Sequence, residues 1–217
     1  FQNEELYNSE YEVPNRLTAS LTWTHELFDN NLTVVSLSYT GRDGRHYSQT
    51  MRSGDSAAFG GFNGGQRFAS WDGFSSQLLY VPDGENDGLV TYADGFDKAG
   101  FFGYLADNND CLASGKIARR HACTSTWINS INLHMMQEIT IMGDQKIEIT
   151  FDIENIGNLL NDDWGRAESF LQPFNAPVVD VAIENGQYVY SNFTKPEPTV
   201  AKIPSVWKAQ FGIRYRF

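Results

Sequence analysis

Five segments of the chain alternate between apolar and polar residues. Successive side chains of a strand point to opposite faces, so this alternation predicts strands with one apolar and one polar face. The five segments are residues 17–24, 33–40, 127–135, 146–154 and 207–217. The spacing typical of amphipathic helices is nearly absent. We therefore expect an all-β fold built on antiparallel strands.

The connections between these segments differ greatly in length. The tetrapeptides FDNN and MGDQ join the first segment to the second and the third to the fourth, whereas residues 41–125 and 156–204 are long loops without obvious strands. Outer-membrane barrels have short periplasmic turns, long outer loops and alternating strands. The pattern thus predicts part of an antiparallel transmembrane β-barrel, with five to six strands and two long extracellular loops.

The polar faces carry charges that an apolar core would not accommodate. Glu148, Asp152, Arg214 and Arg216 would be costly in a dry interior, but they fit a water-filled lumen. A half-buried antiparallel sheet with a solvated face is an alternative explanation of the same alternation. A further alternative is a soluble extracellular carbohydrate-binding β-sandwich, which would explain the aromatic residues and the Asn-Gly turn at 185–186. That turn predicts a hairpin within residues 178–194, which we expect to stand above the membrane.

Composition limits the class of partner. The net charge of −11 and the isoelectric point near 4.7 argue against nucleic acid as a ligand. The chain has no apolar run long enough for a transmembrane helix, and its first residues lack the pattern of a signal peptide. Five strands are too few to close a barrel, whose bacterial minimum is eight, so we expect residues 1–217 to be a fragment of a longer barrel protein.

Four stretches carry a resemblance to a known family. GRDGRHYS at 41–48, LLYVP at 78–82, IENIGNLLNDDWG at 153–165 and the terminal WKAQFGIRYRF occur in this order along the chain. In this arrangement the sequence resembles the C-terminal part of TonB-dependent outer-membrane receptors of the Oar-like group. It departs from that group at residues 53–76, where the family tends to have a stretch rich in Asp and Asn.

The resemblance implies a location, a mechanism and partners. Such receptors are plugged barrels of about 22 strands in the cell outer membrane, and the TonB complex energises them through an N-terminal box and plug. The implied partners are that complex, the outer-membrane assembly machinery, lipid and lipopolysaccharide, and an unidentified cargo bound by loops 41–125 and 156–204. The resemblance further implies that residues 1–217 are the C-terminal fragment of such a barrel, with the plug domain and the N-terminal signal absent. No catalytic residue is implied.

The resemblance also implies a role for the end of the chain. An aromatic C-terminus on an alternating strand is the tag that the assembly machinery reads. β-Augmentation supplies the physical basis, because alternate side chains of an added strand fill pockets. The implied assembly signal consists of Phe211, Ile213, Tyr215 and Phe217.

Two cysteines lie twelve residues apart in the first long loop. Cys111 and Cys123 are expected to form a disulfide, because the periplasm and the cell exterior are oxidising. Two free thiols, or metal ligation together with His121, are the alternatives. A structural zinc site needs four ligands at closer spacing.

The acidic stretch DGENDGLVTYAD partly matches a calcium-binding loop. Asp83, Glu85, Asp87 and Asp94 occupy positions 1, 3, 5 and 12, with Gly88 at position 6. Calcium in this extracellular loop is therefore one hypothesis. An acidic, solvated loop without a cofactor is the other.

Faint echoes of serine-protease motifs do not predict an enzyme. Ser56 lies in GDSA and His121 in RHAC, but Ser56 has no strand on either side to position it beside a base. We expect the protein not to be an enzyme. His25 and His134 are expected to line the lumen or a rim rather than to bind metal.

Overall fold

The computed structural model describes residues 6–28, 31–53, 76–170 and 174–217. Strands make up 52% of the residues, which confirms the predicted all-β class. Within the described ranges, no helix has both the length and the apolar character needed to cross a membrane.

The structure contains fifteen strands and three short helices in its described residues. The strands are β1 (Arg16–Leu27), β2 (Asn31–Arg42), β3 (His46–Ser53), β4 (Ser76–Leu78), β5 (Tyr80–Val81), β6 (Val90–Tyr92), β7 (Lys116–Ile117), β8 (Cys123–Thr124), β9 (Ile128–Met142), β10 (Gln145–Glu154), β11 (Glu168–Ser169), β12 (Asn175–Glu184), β13 (Gln187–Ser191), β14 (Thr199–Val200) and β15 (Lys208–Arg216). The helices are α1 (Lys98–Asp107), α2 (Ile156–Leu160) and α3 (Lys202–Ser205).

The chain divides into two compact units. We call the first the sheet unit; it consists of Val13–Gly44, Thr126–Glu168 and Val200–Phe217. The second, the loop unit, consists of Phe1–Glu12, Arg45–Ser125 and Ser169–Thr199. The predicted alternating segments therefore lie in one unit, and most of the predicted loop residues lie in the other.

The sheet unit is built on one five-stranded antiparallel sheet. Its strand order is β1-β2-β9-β10-β15, so each of the five predicted segments forms one strand. Gly143, with a φ of +60°, lies in the two-residue turn between β9 and β10. β1 and β15 are the edges, and the described residues do not close a barrel.

The loop unit corrects the expectation that the long loops lack strands. Residues 41–125 and 156–204 include short strands, several of which form a six-stranded sheet of β4, β3, β12, β13 and β6 with β8 paired to β3. Two of its pairings, β12 with β3 and β13 with β6, are parallel. The sequence predicted only the β12–β13 hairpin of this sheet, because β4, β6 and β8 have two or three residues each and β3 pairs with strands far away in the chain.

Aromatic residues fill the core of the loop unit. Phe101 of α1 and Tyr190 of β13 are fully buried, and their ring centroids are 5.8 Å apart. The Tyr190 hydroxyl donates to the Tyr80 carbonyl at 2.6 Å, which satisfies its buried polar group. Asp97 caps α1 by accepting a hydrogen bond from the Gly100 amide at 2.9 Å.

The hairpin predicted from the Asn-Gly dipeptide is confirmed. Asn185 and Gly186 connect β12 to β13 with φ angles of 50° and 80°. Both values lie in the left-handed region that a two-residue hairpin turn of this type requires.

Candidate functional site

One face of the sheet unit is continuous and apolar. One row of paired residues across the sheet consists of Leu21, Leu37, Leu133 and Ile153. The neighbouring row runs from Trp23 through Val35, Met135 and Phe151 to Phe211. Within residues 17–23, 35–41, 131–139, 147–153 and 209–215 of the five strands, this face carries no Asp, Glu, Lys or Arg.

Much of this apolar face is exposed. The exposed fraction is 71% for Leu21, 63% for Phe211 and 65% for Ile213. Soluble monomers rarely expose large contiguous apolar patches, and such patches usually mark a surface that another phase or partner covers. A polar pair interrupts the face near its short-turn end, where the Thr33 hydroxyl donates to Gln137 Oε1 at 2.6 Å.

The opposite face of the same sheet carries a network of charged side chains. Lys146 Nζ lies 3.0 Å from Glu138 Oε2, and Arg214 Nη1 lies 3.4 Å from Glu148 Oε2. Arg216 contacts both glutamates, and both glutamates are buried. Buried carboxylates need such partners, because an unpaired buried charge is very unfavourable.

The two histidines of the sheet unit lie on different faces. His134 is on the polar face, and its Nδ1 lies 2.5 Å from Asp152 Oδ1. His25 follows the apolar parity of β1, close to the Trp23 ring at 5.7 Å between centroids. In the part of the chain that the structure describes, no group of three or more His, Cys, Asp or Glu side chains could hold a metal ion.

The residues of the implied assembly signal share one side of an edge strand. Phe211, Ile213 and Tyr215 alternate along β15, and Phe217 follows the strand with 97% of its surface exposed. β15 pairs with β10 from Lys208 to Arg216. Among the described residues, no strand pairs with the other edge of β15.

The two cysteines form a disulfide in the loop unit. Cys111 and Cys123 have Cα atoms 5.1 Å apart, and the bond joins the segment after α1 to β8. His121 Nδ1 lies 3.0 Å from the Asn8 carbonyl oxygen. A cavity of about 300 Å³ lies beside the disulfide, and its lining includes Arg119, Arg120 and Asp110.

The acidic stretch is organised around one carboxylate. Asp87 accepts hydrogen bonds from the Tyr80 hydroxyl at 2.9 Å, the Asp83 amide at 2.8 Å and the Leu89 amide at 2.8 Å. The two amides lower the pKa of Asp87. Burial, together with the Asp87 contact, raises the pKa of Tyr80 to about 12.

The four candidate calcium ligands are not brought together as a complete site. Asp83 accepts a hydrogen bond from the Ser114 hydroxyl at 2.8 Å, and Asp87 is engaged as described above. Calcium binding by Asp83, Glu85, Asp87 and Asp94 stays a prediction. Ser56 and residues 54–75 of the divergent stretch lie outside the described residues.

A pocket that the sequence did not predict lies at the end of the sheet away from the short turns. We call it the rim pocket. It has a volume of about 340 Å³ and is lined by Tyr39, Trp127, Asn129, Ile131, Asn155, Gly157, Asp163, Trp164, Gly165 and Arg166. Five of these residues, from Asn155 to Gly165, belong to the stretch IENIGNLLNDDWG at 153–165. This stretch carries part of the family resemblance, but the sequence does not show that it lies beside Tyr39 and Trp127 in the fold.

No family model, curated protein or solved structure matches the chain.

Proposed function

We propose that the chain is part of a TonB-dependent outer-membrane receptor that takes part in energised transport of an unidentified ligand across the outer membrane. In this proposal the five strands of the sheet unit belong to the wall of a transmembrane barrel. The apolar face contacts lipid, and the charged face lines the lumen. The protein acts by binding and transport and is not an enzyme.

The observation that carries the proposal is the exposed apolar face. Leu21, Phe211 and Ile213 are all more than 60% exposed on a face without charges. Hydrocarbon tails would cover that face without any penalty. A soluble β-sandwich, the alternative, would bury such a face against a second sheet.

Strand length also supports a membrane span. β1 and β2 each contain 12 residues, which at about 3.3 Å per residue gives about 40 Å. Strands of outer-membrane barrels tilt by roughly 40°, so β1 would cover about 30 Å along the membrane normal. This equals the thickness of a typical hydrocarbon core.

The charged network supports a wet lumen on the other side. Lys146, Arg214 and Arg216 surround Glu138 and Glu148, and Asp152 lies on the same side of the sheet. A lumen filled with water or with polar protein surface would solvate these charged groups. Lipid on this side of the sheet would not solvate charged groups.

The loop unit is the proposed surface for cargo. It has its own aromatic core and a disulfide, so its outward-facing groups are held on a rigid support. The cavity beside the disulfide combines Arg119, Arg120 and Asp110, which suits a polar or charged cargo better than an apolar one.

Cell fractionation and a transport comparison test the proposal. The protein, expressed from its complete gene in a Gram-negative host, should sediment with outer membranes, resist alkaline extraction and migrate differently on gels before and after heating. Strains lacking this gene and strains lacking the TonB complex should fail to take up the same compounds. Recovery of the native protein in the soluble fraction would contradict the proposal and favour the soluble carbohydrate-binding alternative.

A further inference from the structure

The cavity beside the Cys111–Cys123 disulfide has three walls. They come from residues 7–8, from residues 109–113 after α1 and from residues 119–122 before β8. All three walls belong to the loop unit. The volume of about 300 Å³ lies at the lower end of the range for small-ligand sites. The cavity can therefore hold a small ligand or one end of a longer one.

The wall at residues 119–120 is anchored on both sides by buried contacts. Before it, the Ala118 amide donates to the Leu79 carbonyl at 2.7 Å, and Ala118 is buried. After it, the His121 amide donates to the Ser48 hydroxyl at 3.0 Å, and both of these residues are buried. The backbone is thus fixed on either side of two arginines that are themselves exposed.

The other two walls are tied to this one. His121 Nδ1 lies 3.0 Å from the Asn8 carbonyl oxygen, and Asn8 Nδ2 donates to the His121 carbonyl at 3.4 Å. The disulfide from Cys111 to Cys123 connects the wall after α1 to the residue that follows residues 119–122. Because the three walls are held together before a ligand arrives, binding needs little reorganisation.

The charge of the cavity is opposite in sign to that of the whole chain. Its charged lining residues are Arg119, Arg120 and Asp110, two positive and one negative, in a chain whose net charge is −11. Arg120 forms no ion pair with the residues that the structure describes. A guanidinium on the wall of a cavity binds an anion through charge-assisted hydrogen bonds, which are about twice as strong as neutral ones. We therefore expect an anionic ligand.

The amount of charge favours a carboxylate over a phosphate. The planar guanidinium of Arg120 presents parallel N–H donors that match the two oxygens of a carboxylate. A phosphate group carries about 1.5 to 2 negative charges at neutral pH, and the Asp110 carboxylate on the same lining would repel it. A carboxylate carries a single negative charge, which equals the excess positive charge of the lining.

The rest of the lining suits the end of a peptide chain. Leu112 and Ala113 supply an apolar surface that a side chain can contact. Asn8 and Asn109 carry amides, which can both donate to and accept from peptide groups. Asn8 uses its Nδ2 for the His121 carbonyl, so its Oδ1 is left to accept from a ligand N–H. A simple organic acid would make no use of these amides.

We propose that the cavity beside the disulfide binds the C-terminal end of a peptide. Arg120 binds the terminal carboxylate, and Arg119 adds positive charge beside it. Asn8 and Asn109 bind the peptide groups, and Leu112 contacts the last side chain. The inference rests on the proposed function in one respect, that the peptide is the cargo, whereas the binding itself follows from the cavity alone.

Isothermal titration calorimetry on the complete protein tests this inference. The ligand is the tripeptide N-acetyl-Ala-Ala-Phe with a free C-terminal carboxylate, and the same tripeptide with a C-terminal amide is the comparison. The free acid should bind at least about tenfold more tightly, because the amide cannot form the charge-assisted pair. Arg120→Gln should weaken binding of the acid about tenfold and leave binding of the amide unchanged.

Lys116→Gln is the matched control. Lys116 is exposed in β7, within the same disulfide-closed segment, but it does not line the cavity. The variant loses the same positive charge at a solvated position, so the affinity should change less than about twofold. Equal losses in the Arg120 and Lys116 variants, equal affinity for the acid and the amide, or no binding of the acid would overturn the inference.

Two further titrations test the class of ligand. Asp110→Asn should not weaken binding of the acid, because it removes a negative charge from the lining. A loss in this variant would mean that the cavity binds a positive group and would overturn the inference. The small acid 3-phenylpropionate, which has no peptide groups, should bind at least about tenfold more weakly than the tripeptide. Equal affinity for the two would overturn the assignment to a peptide.

Failure of the inference can be told apart from failure of the proposed function. Membrane insertion is measured on the same preparation. If the protein inserts but does not distinguish the acid from the amide, the inference fails and the proposed function stands. If the protein is recovered in soluble form, the proposed function fails, and binding of the acid that depends on Arg120 would still support the peptide site.

Discussion

Leu21→Arg places a charge at the centre of the apolar face. Leu21 is near the middle of β1, pairs with Leu37 and is 71% exposed. A backbone change is not expected, because Arg is compatible with an edge strand and the exposed side chain meets few neighbours. The substitution therefore tests what surrounds the face and not how the sheet is packed.

The two environments predict different magnitudes for this change. An Arg on the lipid face at the bilayer midplane costs about 2–4 kcal/mol, which corresponds to a loss of about 30- to 700-fold in the folding equilibrium. In water, an exposed substitution away from special features changes the free energy of unfolding by less than about 0.5 kcal/mol. The difference exceeds the uncertainty of a denaturant titration.

The assay is equilibrium unfolding in urea after refolding into lipid vesicles, with a neighbouring residue as the control. Thr22 lies on the opposite face, where its hydroxyl is 2.9 Å from the Ser36 hydroxyl. Thr22→Arg should cost only about 1 kcal/mol for that lost hydrogen bond. Ile149→Arg and Thr150→Arg repeat the comparison in β10. A Leu21→Arg variant as stable as wild type, or equal losses on both faces, would refute the lipid-facing assignment.

Three further predictions follow from the loop unit and the terminus. Mass spectrometry of the unreduced protein should find Cys111 bonded to Cys123, and Cys111→Ser should lower the free energy of unfolding by about 3 kcal/mol; free thiols in the native protein would contradict this. Removal of Phe217 should lower the heat-modifiable, membrane-inserted fraction, whereas Gln210→Ser on the polar face should be mild, and unchanged assembly kinetics without Phe217 would exclude a sorting role. Because the pKa of Tyr80 is raised to about 12, its contribution to stability should be complete below pH 10 and lost as the pH rises towards 12, so Tyr80→Phe should flatten that part of an alkaline unfolding curve.

The sheet could be predicted because its information is local. The alternation of apolar and polar residues within 17–24 or 146–154 indicates which face of each strand is apolar. The short connections indicate that neighbouring strands form hairpins. The register agrees with this, since Leu21 pairs with Leu37 and Ile149 with Ile213, apolar with apolar. The Asn-Gly turn before β13 could be predicted for the same reason, because two adjacent residues determine it.

The loop unit could not be predicted because its contacts are distant. The Tyr190 hydroxyl bonds the Tyr80 carbonyl across 110 positions of the chain, and β3 pairs in parallel with β12. Strands of two or three residues are too short to show a period. Helix α1, KAGFFGYLAD, contains two glycines and no clear apolar stripe, so its sequence did not indicate a helix.

The rim pocket is formed partly by residues near the ends of regular strands and partly by residues of an irregular loop. Tyr39 and Trp127 could be placed near strand ends from the alternation alone. Trp164 and Arg166 lie in an irregular loop whose path is set by side-chain hydrogen bonds from Asn155 and Asn158 to backbone carbonyls. Such bonds leave no periodic signal in the sequence, so the path of this loop could not be predicted.

The most direct test of the central claim is a spin-label accessibility scan along β1 in lipid vesicles. Single cysteines are introduced at positions 17–24 and labelled, and the native cysteines are already joined in their disulfide. Labels at 17, 19, 21 and 23 should be relaxed more strongly by oxygen, which dissolves in lipid, and labels at 18, 20, 22 and 24 more strongly by a water-soluble nickel chelate. Equal access of the nickel chelate to both sets would contradict a membrane-spanning sheet.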